Sequence, residues 1–326
     1  MSGSPATGAL VVAIDDGYPS YDQERALLGA VGAGFSVRPV RGNVEAACAA
    51  VRDADVVLVR ESPLPRSAIE QMARARAVIR YGIGVDNIDQ QAARERRIYV
   101  ANVPDYGIEE VATQTVALAL AVVRRLRLHD QEVRAGRWST GVLAPMHRLR
   151  GSTLGLVGYG RIGRRTHELL AGFGFARVLV HDPRAELPGG AEPSSLDELC
   201  RAADLITLHA PMTPQTHHLI DARQLALMKP TAVLVNTARG GLIDLDALAA
   251  ALVDGRLLGA GLDVFEREPP DPAHPIFALP NVVVSNHIGW YSEEAMRDVQ
   301  RKAAEEAVRV LRGDPPLHWL NPWHNS

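Results

Sequence analysis

The chain has 326 residues, 47% of them hydrophobic, which is enough apolar material for more than one buried core and excludes an intrinsically disordered chain. A formal net charge of -3 provides no field that would gather nucleic acid or an anionic membrane, so small-molecule chemistry suits the balance better. Cys48 and Cys200 lie far apart without CxxC or Cys/His spacing, which argues against a disulfide framework or a zinc site and for two buried, inert thiols; no metal is expected.

The opening MSGSPATG lacks the basic start and apolar stretch of a secretory signal, so the cytoplasm is the expected compartment. Apolar, β-branched runs then alternate with amphipathic ones, the pattern of parallel sheets covered by helices. Strands are predicted at Leu10 to Ile14, Phe35 to Val40, Val56 to Val59, Val78 to Tyr81 and Ile98 to Ala101, with helical spacing at Asn43 to Arg52 and Arg66 to Arg76 between them. A single long helix is predicted from Glu109 to about Ala135, ending near Gly136. Its most apolar stretch, Val116 to Val123, is far shorter than the roughly 20 residues a bilayer requires, so it reads as a buried helix. A second series of strands follows at Leu154 to Val157, Val178 to His181, Leu205 to His209, Ala232 to Asn236, Gly259 to Asp263 and Val282 to Ser285. Six such strands suit a doubly wound nucleotide domain. Ser292 to Leu311 reads as a closing helix, followed by a tail rich in proline and tryptophan that is expected to pack on the first unit.

The strand Leu154 to Val157 runs directly into Gly158-Tyr159-Gly160-Arg161-Ile162-Gly163, with a helical pattern at Arg164 to Ala171. In this setting Gly158 permits the tight turn, Gly160 lets backbone approach a pyrophosphate, and Gly163 lets helix and strand pack closely. The next strand ends at Asp182, 19 positions after Gly163, where a carboxylate can accept hydrogen bonds from a ribose diol. That carboxylate would repel a 2′-phosphate, which favours NAD over NADP, although Arg184 weakens the preference.

Ligands of open parallel sheets bind beyond the carboxyl ends of the strands, and three polar residues stand there: Arg239, Glu268 and His287. Singly, each has a plain structural reading as a surface charge, a loop acid and a core-edge imidazole. Jointly they describe hydride transfer from a secondary alcohol. His287 suits the base that takes the hydroxyl proton, Glu268 would orient the imidazole and stabilise its protonated form, and Arg239 would grip a carboxylate and steady charge on the reacting oxygen.

With these residues in view, the chain resembles the D-isomer-specific 2-hydroxyacid dehydrogenases from about Val11 to Trp290. The resemblance is carried by RYGIGVDNID (Arg80 to Asp89), NVPDYGIEEVA (Asn102 to Ala112), LGLVGYGRIG (Leu154 to Gly163), LHAPMTPQTHHLI (Leu208 to Ile220), NTARGGLID (Asn236 to Asp244), DVFEREPP (Asp263 to Pro270) and HIGW (His287 to Trp290). It implies the same catalytic trio, Arg239, Glu268 and His287. It also implies two doubly wound parallel-sheet domains, with a Rossmann NAD-binding domain at 103–290 inserted in a flavodoxin-like substrate domain made of 1–102 and 291–326, and the active site in the cleft between. NAD would be bound by Gly158, Gly160, Arg161, Ile162, Gly163, Asp182, His209, Ala210, Pro211, Thr216, Thr237, Ala238 and, at the nicotinamide amide, Asp263. Amides around Ile83 and Gly84 would help hold the substrate carboxylate. The family further implies a homodimer formed through the nucleotide domains, with the long helix after Pro104 taking part.

Arg80 and Trp290 look like the branch that holds the C-terminal-binding protein corepressors and phosphoglycerate dehydrogenase, where they border the substrate pocket; a 2-keto acid with a sizeable apolar side chain would then fit better than glyoxylate. One departure is Asn286, which stands where many members carry proline before the catalytic histidine. The alternatives to an enzyme of 2-hydroxy and 2-keto acids are an NAD(H)-responsive corepressor-like scaffold without turnover, and a formate- or phosphite-type dehydrogenase. Retention of all three catalytic residue types favours the enzyme over the scaffold, and Arg80 and Tyr81 stand where a phosphite-type member would show a lysine.

Overall fold

The computed structural model describes residues 8–138 and 145–323, and its contacts divide the chain into two units, Met1–Gly107 with Ser292–Ser326, and Ile108–Tyr291. The first unit begins with β1 (Leu10–Ala13), α1 (Asp22–Gly29), β2 (Gly34–Val37), α2 (Val44–Ala50), β3 (Val56–Val59), α3 (Arg66–Gln71), β4 (Ala77–Arg80), α4 (Gln90–Glu95) and β5 (Tyr99–Ala101). All neighbours are parallel in the order β2-β1-β3-β4-β5. The central strand β3 is buried along its whole length, as a strand covered on both faces must be, which is why it reads as the unbroken run VVLV. Side-chain caps start the short helices: Asn43 accepts from Ala46 N–H and Asp89 from Ala92 N–H. The expected helix to Arg76 stops at Gln71, where Met72 turns out of helical geometry and buries its side chain, and the next amides bind elsewhere, Ala73 to Arg52 O in the turn after α2 and Arg76 to Asp55 O before β3.

The second unit opens with α5 (Ile108–Val123) and α6 (Leu126–Arg134), so the expected single helix is two. Arg125 sits between them in the left-handed region (φ 54°, ψ 32°), and its guanidinium donates to Leu258 O at 3.0 Å, while Arg127 donates to Leu279 O and Val282 O. At the break the two arginine side chains thus satisfy backbone carbonyls far along the chain. The unit continues through β6 (Thr153–Val157), α7 (Arg161–Leu170), β7 (Arg177–His181), β8 (Ala191–Pro193), α8 (Leu196–Ala202), β9 (Leu205–Leu208), α9 (Ala222–Leu227), β10 (Val233–Asn236), α10 (Leu245–Val253), β11 (Gly259–Leu262) and β12 (Val282–Val284). Its sheet is parallel in the order β12-β11-β10-β9-β6-β7-β8. The extra strand, β8, is a three-residue edge strand ending in proline, too short and too polar to announce itself in the sequence. Strand order reverses between β6 and β9, the switch point at which such sheets open a crevice at the strands' carboxyl ends.

Helix α11 (Glu293–Leu311), capped by Ser292, returns the chain to the first unit, where it packs on α1, β3 and β4. Gln300 on α11 and Tyr81 both donate to the buried Glu24 carboxyl, which burial pushes above its ordinary value. The tail then covers the exposed edge of β5, with Leu320 N–H donating to Val100 O, and Asn321 clamping Val100 N–H and Ile98 O. Cys200 is buried and its thiol is pushed up to about 12, whereas Cys48 is only half-buried, a correction to the expectation for it. Among the described residues no helix is long and apolar enough to cross a membrane.

Candidate active site

The glycine turn lies at the switch point. Gly158 has φ +89°, and a Cβ there would come within 2.6 Å of Ala210 N, so both conformation and space require glycine. A Cβ on Gly163 would stand 2.4 Å from Gly158 O, which is the close helix–strand packing expected. Gly160 differs, since nothing lies within 4 Å of where its Cβ would be. It is also the N-cap of α7 and makes no side-chain cap, so the N-terminal turn of the helix carries no capping side chain of its own, a natural cradle for phosphate oxygens. The helix starts at Arg161 rather than the expected Arg164, which brings Arg161, Ile162 and Gly163 into that first turn.

Asp182 closes the cradle. Its carboxylate accepts from Tyr159 N–H at 2.8 Å and Arg184 N–H at 2.9 Å. Partial burial pushes the group up, but these backbone donors outweigh it and hold it below the ordinary carboxylate value. Beneath the turn, His209 bonds Thr207 Oγ1 through Nε2 at 3.0 Å, while its Nδ1 is buried with no hydrogen-bond partner among the described residues. Burial pushes this imidazole down to about 3, so it is neutral. An open glycine at the helix N-terminus, an ionised acid one strand away and an orphaned polar atom together fit a dinucleotide. Thr216 and Thr237 are also near strand ends, but their hydroxyls are engaged internally, with Pro211 O and with Thr115 Oγ1 respectively.

The structure brings Glu268 and His287 together, with Nδ1 of the imidazole 2.6 Å from Oε2. The other oxygen, Oε1, accepts from Phe265 N–H at 2.9 Å, so the carboxylate is held at both ends. Burial pushes Glu268 up, yet the bonds from His287 and Phe265 and the positive charge of Arg239 prevail, leaving it below the ordinary value and ionised. Arg239 donates to Ala238 O. A Cβ on Gly240 would fall 1.8 Å from Phe265 C, so the turn bearing Arg239 lies directly against the loop bearing Glu268. His287 has φ +55°, a left-handed backbone uncommon for a side chain other than glycine.

Glu266, His217, His218, Gln114 and Ser285 were not among the expected site residues. Glu266, two positions before Glu268, is bracketed by the stacked rings of His217 and His218, whose Nε2 atoms lie 3.1 and 3.3 Å from its two oxygens. That bracket ties the Glu268 loop to the turn after Pro211. Asp263 is 1% exposed, and its oxygens accept from Ser285 Oγ and the amides of Ile288 and Gly289. Gln114 donates to Ser285. In the other unit, Arg80 ends β4 and its guanidinium lies over Gly82, where a Cβ would come 1.4 Å from it; Ile83 O accepts from Asn102. Trp290 is half-buried and meets Tyr291 edge-on at 5.6 Å.

Comparison with known proteins agrees with this chemistry. The family model described as D-isomer specific 2-hydroxyacid dehydrogenase, NAD binding domain, matches residues 116–289. A D-3-phosphoglycerate dehydrogenase of Methanocaldococcus jannaschii is 41% identical over 270 residues, 81% of this chain but only 51% of that longer protein. A glyoxylate reductase of Thermococcus litoralis is 37% identical over 278 residues, 82% of this chain and 83% of the other. Among solved structures, D-lactate dehydrogenase from Aquifex aeolicus, complexed with NAD and lactic acid, superposes with a TM-score of 0.86 at 27% identity, covering 97% of this chain and 100% of the other.

Proposed function

The chain belongs to the D-isomer specific 2-hydroxyacid dehydrogenase family, and from that premise we propose that it moves a hydride between NAD(H) and a D-2-hydroxy acid or its 2-keto acid, with Arg239, Glu268 and His287 as the catalytic trio. The observation that carries this reading is the 2.6 Å pairing of His287 with an ionised Glu268 beside the Arg239 turn. NAD(H), when bound, supplies or accepts the hydride. It is held on this reading by Gly158, Gly160, Arg161, Ile162, Gly163 and Asp182, with His209, Ala210, Pro211, Thr216, Thr237, Ala238 and Asp263 along the strand ends. With Nδ1 engaged by Glu268, Nε2 of His287 is the nitrogen left to give a proton to the keto oxygen or take it from the hydroxyl. The Arg239 fork holds the substrate carboxylate and steadies charge on the reacting oxygen. Further substrate contacts are assigned to Arg80, the amides of Ile83 and Gly84, and the Trp290 indole.

A 2-keto acid with a sizeable apolar side chain is the preferred substrate on this reading, with Trp290 as its contact. The relatives named glyoxylate reductase make glyoxylate the competing small substrate. A panel running from glyoxylate to longer apolar 2-keto acids, assayed with NADH and ranked by kcat/KM, tests both, and chiral analysis of the product tests D-specificity. Turnover of at least one member is expected. NADH binding without turnover of any would overturn the proposal in favour of a corepressor-like scaffold.

A homodimer and a cytoplasmic location belong to the same proposal. The first is supported by α6, none of whose residues is buried and which, with the residues after it, exposes Leu126, Val133 and Trp138 at 56%, 54% and 82%. The second is supported by the free thiols of Cys48 and Cys200.

A further inference from the structure

We infer that Gln114, Ser285 and Asp263 form a directional hydrogen-bond chain that holds His287 in its left-handed conformation, and that Gln114 and Ser285 are therefore positioning residues for proton transfer. The inference rests on the proposed role of His287.

The backbone at His287 (φ +55°) lies in the left-handed region that few residues other than glycine occupy, and its neighbours hold it there. They do so through one residue. Asp263 accepts His287 N–H on its main-chain oxygen at 2.7 Å. Its carboxylate accepts Ser285 Oγ–H ahead of the histidine at 2.6 Å, and Ile288 N–H and Gly289 N–H behind it at 3.1 and 2.8 Å. The segment is thus fastened on both sides of His287 to the same buried group. Asn286, exposed between the fastened positions, contributes no such restraint of its own.

Proton counting gives the chain its direction. With the amides of Ile288 and Gly289 donating to the two oxygens of Asp263, this carboxyl is the acceptor here, and Ser285 spends its single hydroxyl proton on it. Its oxygen is then an acceptor, and Gln114 Nε2, 2.9 Å away, is the donor that fills it. Gln114 projects from α5, which packs on β11 and β12, so the chain refers the histidine loop to a rigid helix rather than to another loop. Space is tight: a Cβ on Gly289 would meet Asp263 Oδ2 at 2.7 Å and Gln114 Cγ at 3.2 Å. A shift of Ser285 would reach His287 two residues later, and with it the 2.6 Å contact to Glu268.

The test is a double-mutant cycle with a rescue. Ser285→Ala and Gln114→Met should each lower kcat roughly tenfold to a hundredfold, the scale of a small misplacement of a reacting group, with KM and NADH affinity within about twofold of wild type. The double variant should be no slower than Ser285→Ala alone, because both break one chain. Ser285→Thr keeps the hydroxyl and should restore kcat to within about threefold, whereas a purely packing role would tolerate alanine better than the bulkier threonine. Full activity in Ser285→Ala, additive losses, or failure of threonine to rescue a folded, NADH-binding protein would overturn the inference. His287→Ala in the same assay separates the two readings. If it is inactive while Ser285→Ala is fully active, only the positioning chain falls; if it retains turnover, the role of His287 falls and the chain with it.

Discussion

Glu268→Gln alters the site with the least change of shape. In the native protein Oε1 is fixed by Phe265 N–H, so the amide oxygen of glutamine takes that place and its NH2 faces Nδ1 of His287. Two donors cannot meet, and the neutral ring must move its proton to Nε2, the tautomer unable to accept a hydroxyl proton. The imidazolium loses its charged partner as well. A charge-assisted hydrogen bond contributes about 1.5 to 3 kcal/mol in general. Because the Glu268 and His287 side chains are 36% and 40% exposed, solvent screening places the expected loss toward the lower figure, so kcat should fall roughly tenfold, rising toward a hundredfold where the tautomer dominates. Steady-state NADH oxidation with the best substrate of the keto-acid panel measures kcat, and NADH titration checks that cofactor affinity stays within about twofold. Glu268→Asp keeps the charge but withdraws it by one methylene, and should fall between glutamine and wild type. A glutamine variant with wild-type kcat, or one whose loss follows weakened NADH binding, would refute the orienting role.

Asp182→Ala should reduce the preference for NAD over NADP at least roughly tenfold, since the variant removes both a ribose acceptor and a repelling charge; comparison of kcat/KM for the two cofactors measures it, and an unchanged ratio would count against the assignment. His209 predicts an acid sensitivity with a defined sign. Its value in the folded protein is lowered from 6.5 to about 3, so stability is undiminished above 6.5 and declines as pH falls toward about 3, where only the unfolded chain takes up the proton. Urea midpoints near neutrality and near about pH 5 should therefore differ more in wild type than in His209→Asn, and parallel curves would reject the explanation. Charges placed at Leu126 and Val133 should shift a dimer toward monomer in sedimentation equilibrium; an unaltered dimer would move the interface elsewhere.

What could be read along the chain is what depends on neighbours in sequence. Apolar, β-branched runs placed every strand of both sheets except the edge strand β8 to within a residue or three at each end, because a strand covered on both faces is buried throughout, as VVLV of β3 is. The glycine turn was equally legible, since its requirements fall within six consecutive residues. The pairing of Glu268 with His287 could be guessed from chemistry, but its 2.6 Å separation depends on where β11 and β12 end.

Only tertiary structure settled the features that join residues remote in sequence. The helix breaks at Arg125, whose guanidinium donates to Leu258 O, 133 residues away, a contact that no periodicity records. Gln114 and Ser285 stand 171 residues apart, each unremarked in its own segment, and become partners only when α5 lies against the strands that deliver the histidine loop. The left-handed backbone of His287 is likewise imposed by Asp263 from the neighbouring strand. Local sequence determines which elements form, because propensity and burial pattern act over a few residues; the orientation of a catalytic side chain is decided by hydrogen-bond needs that the fold alone brings within reach.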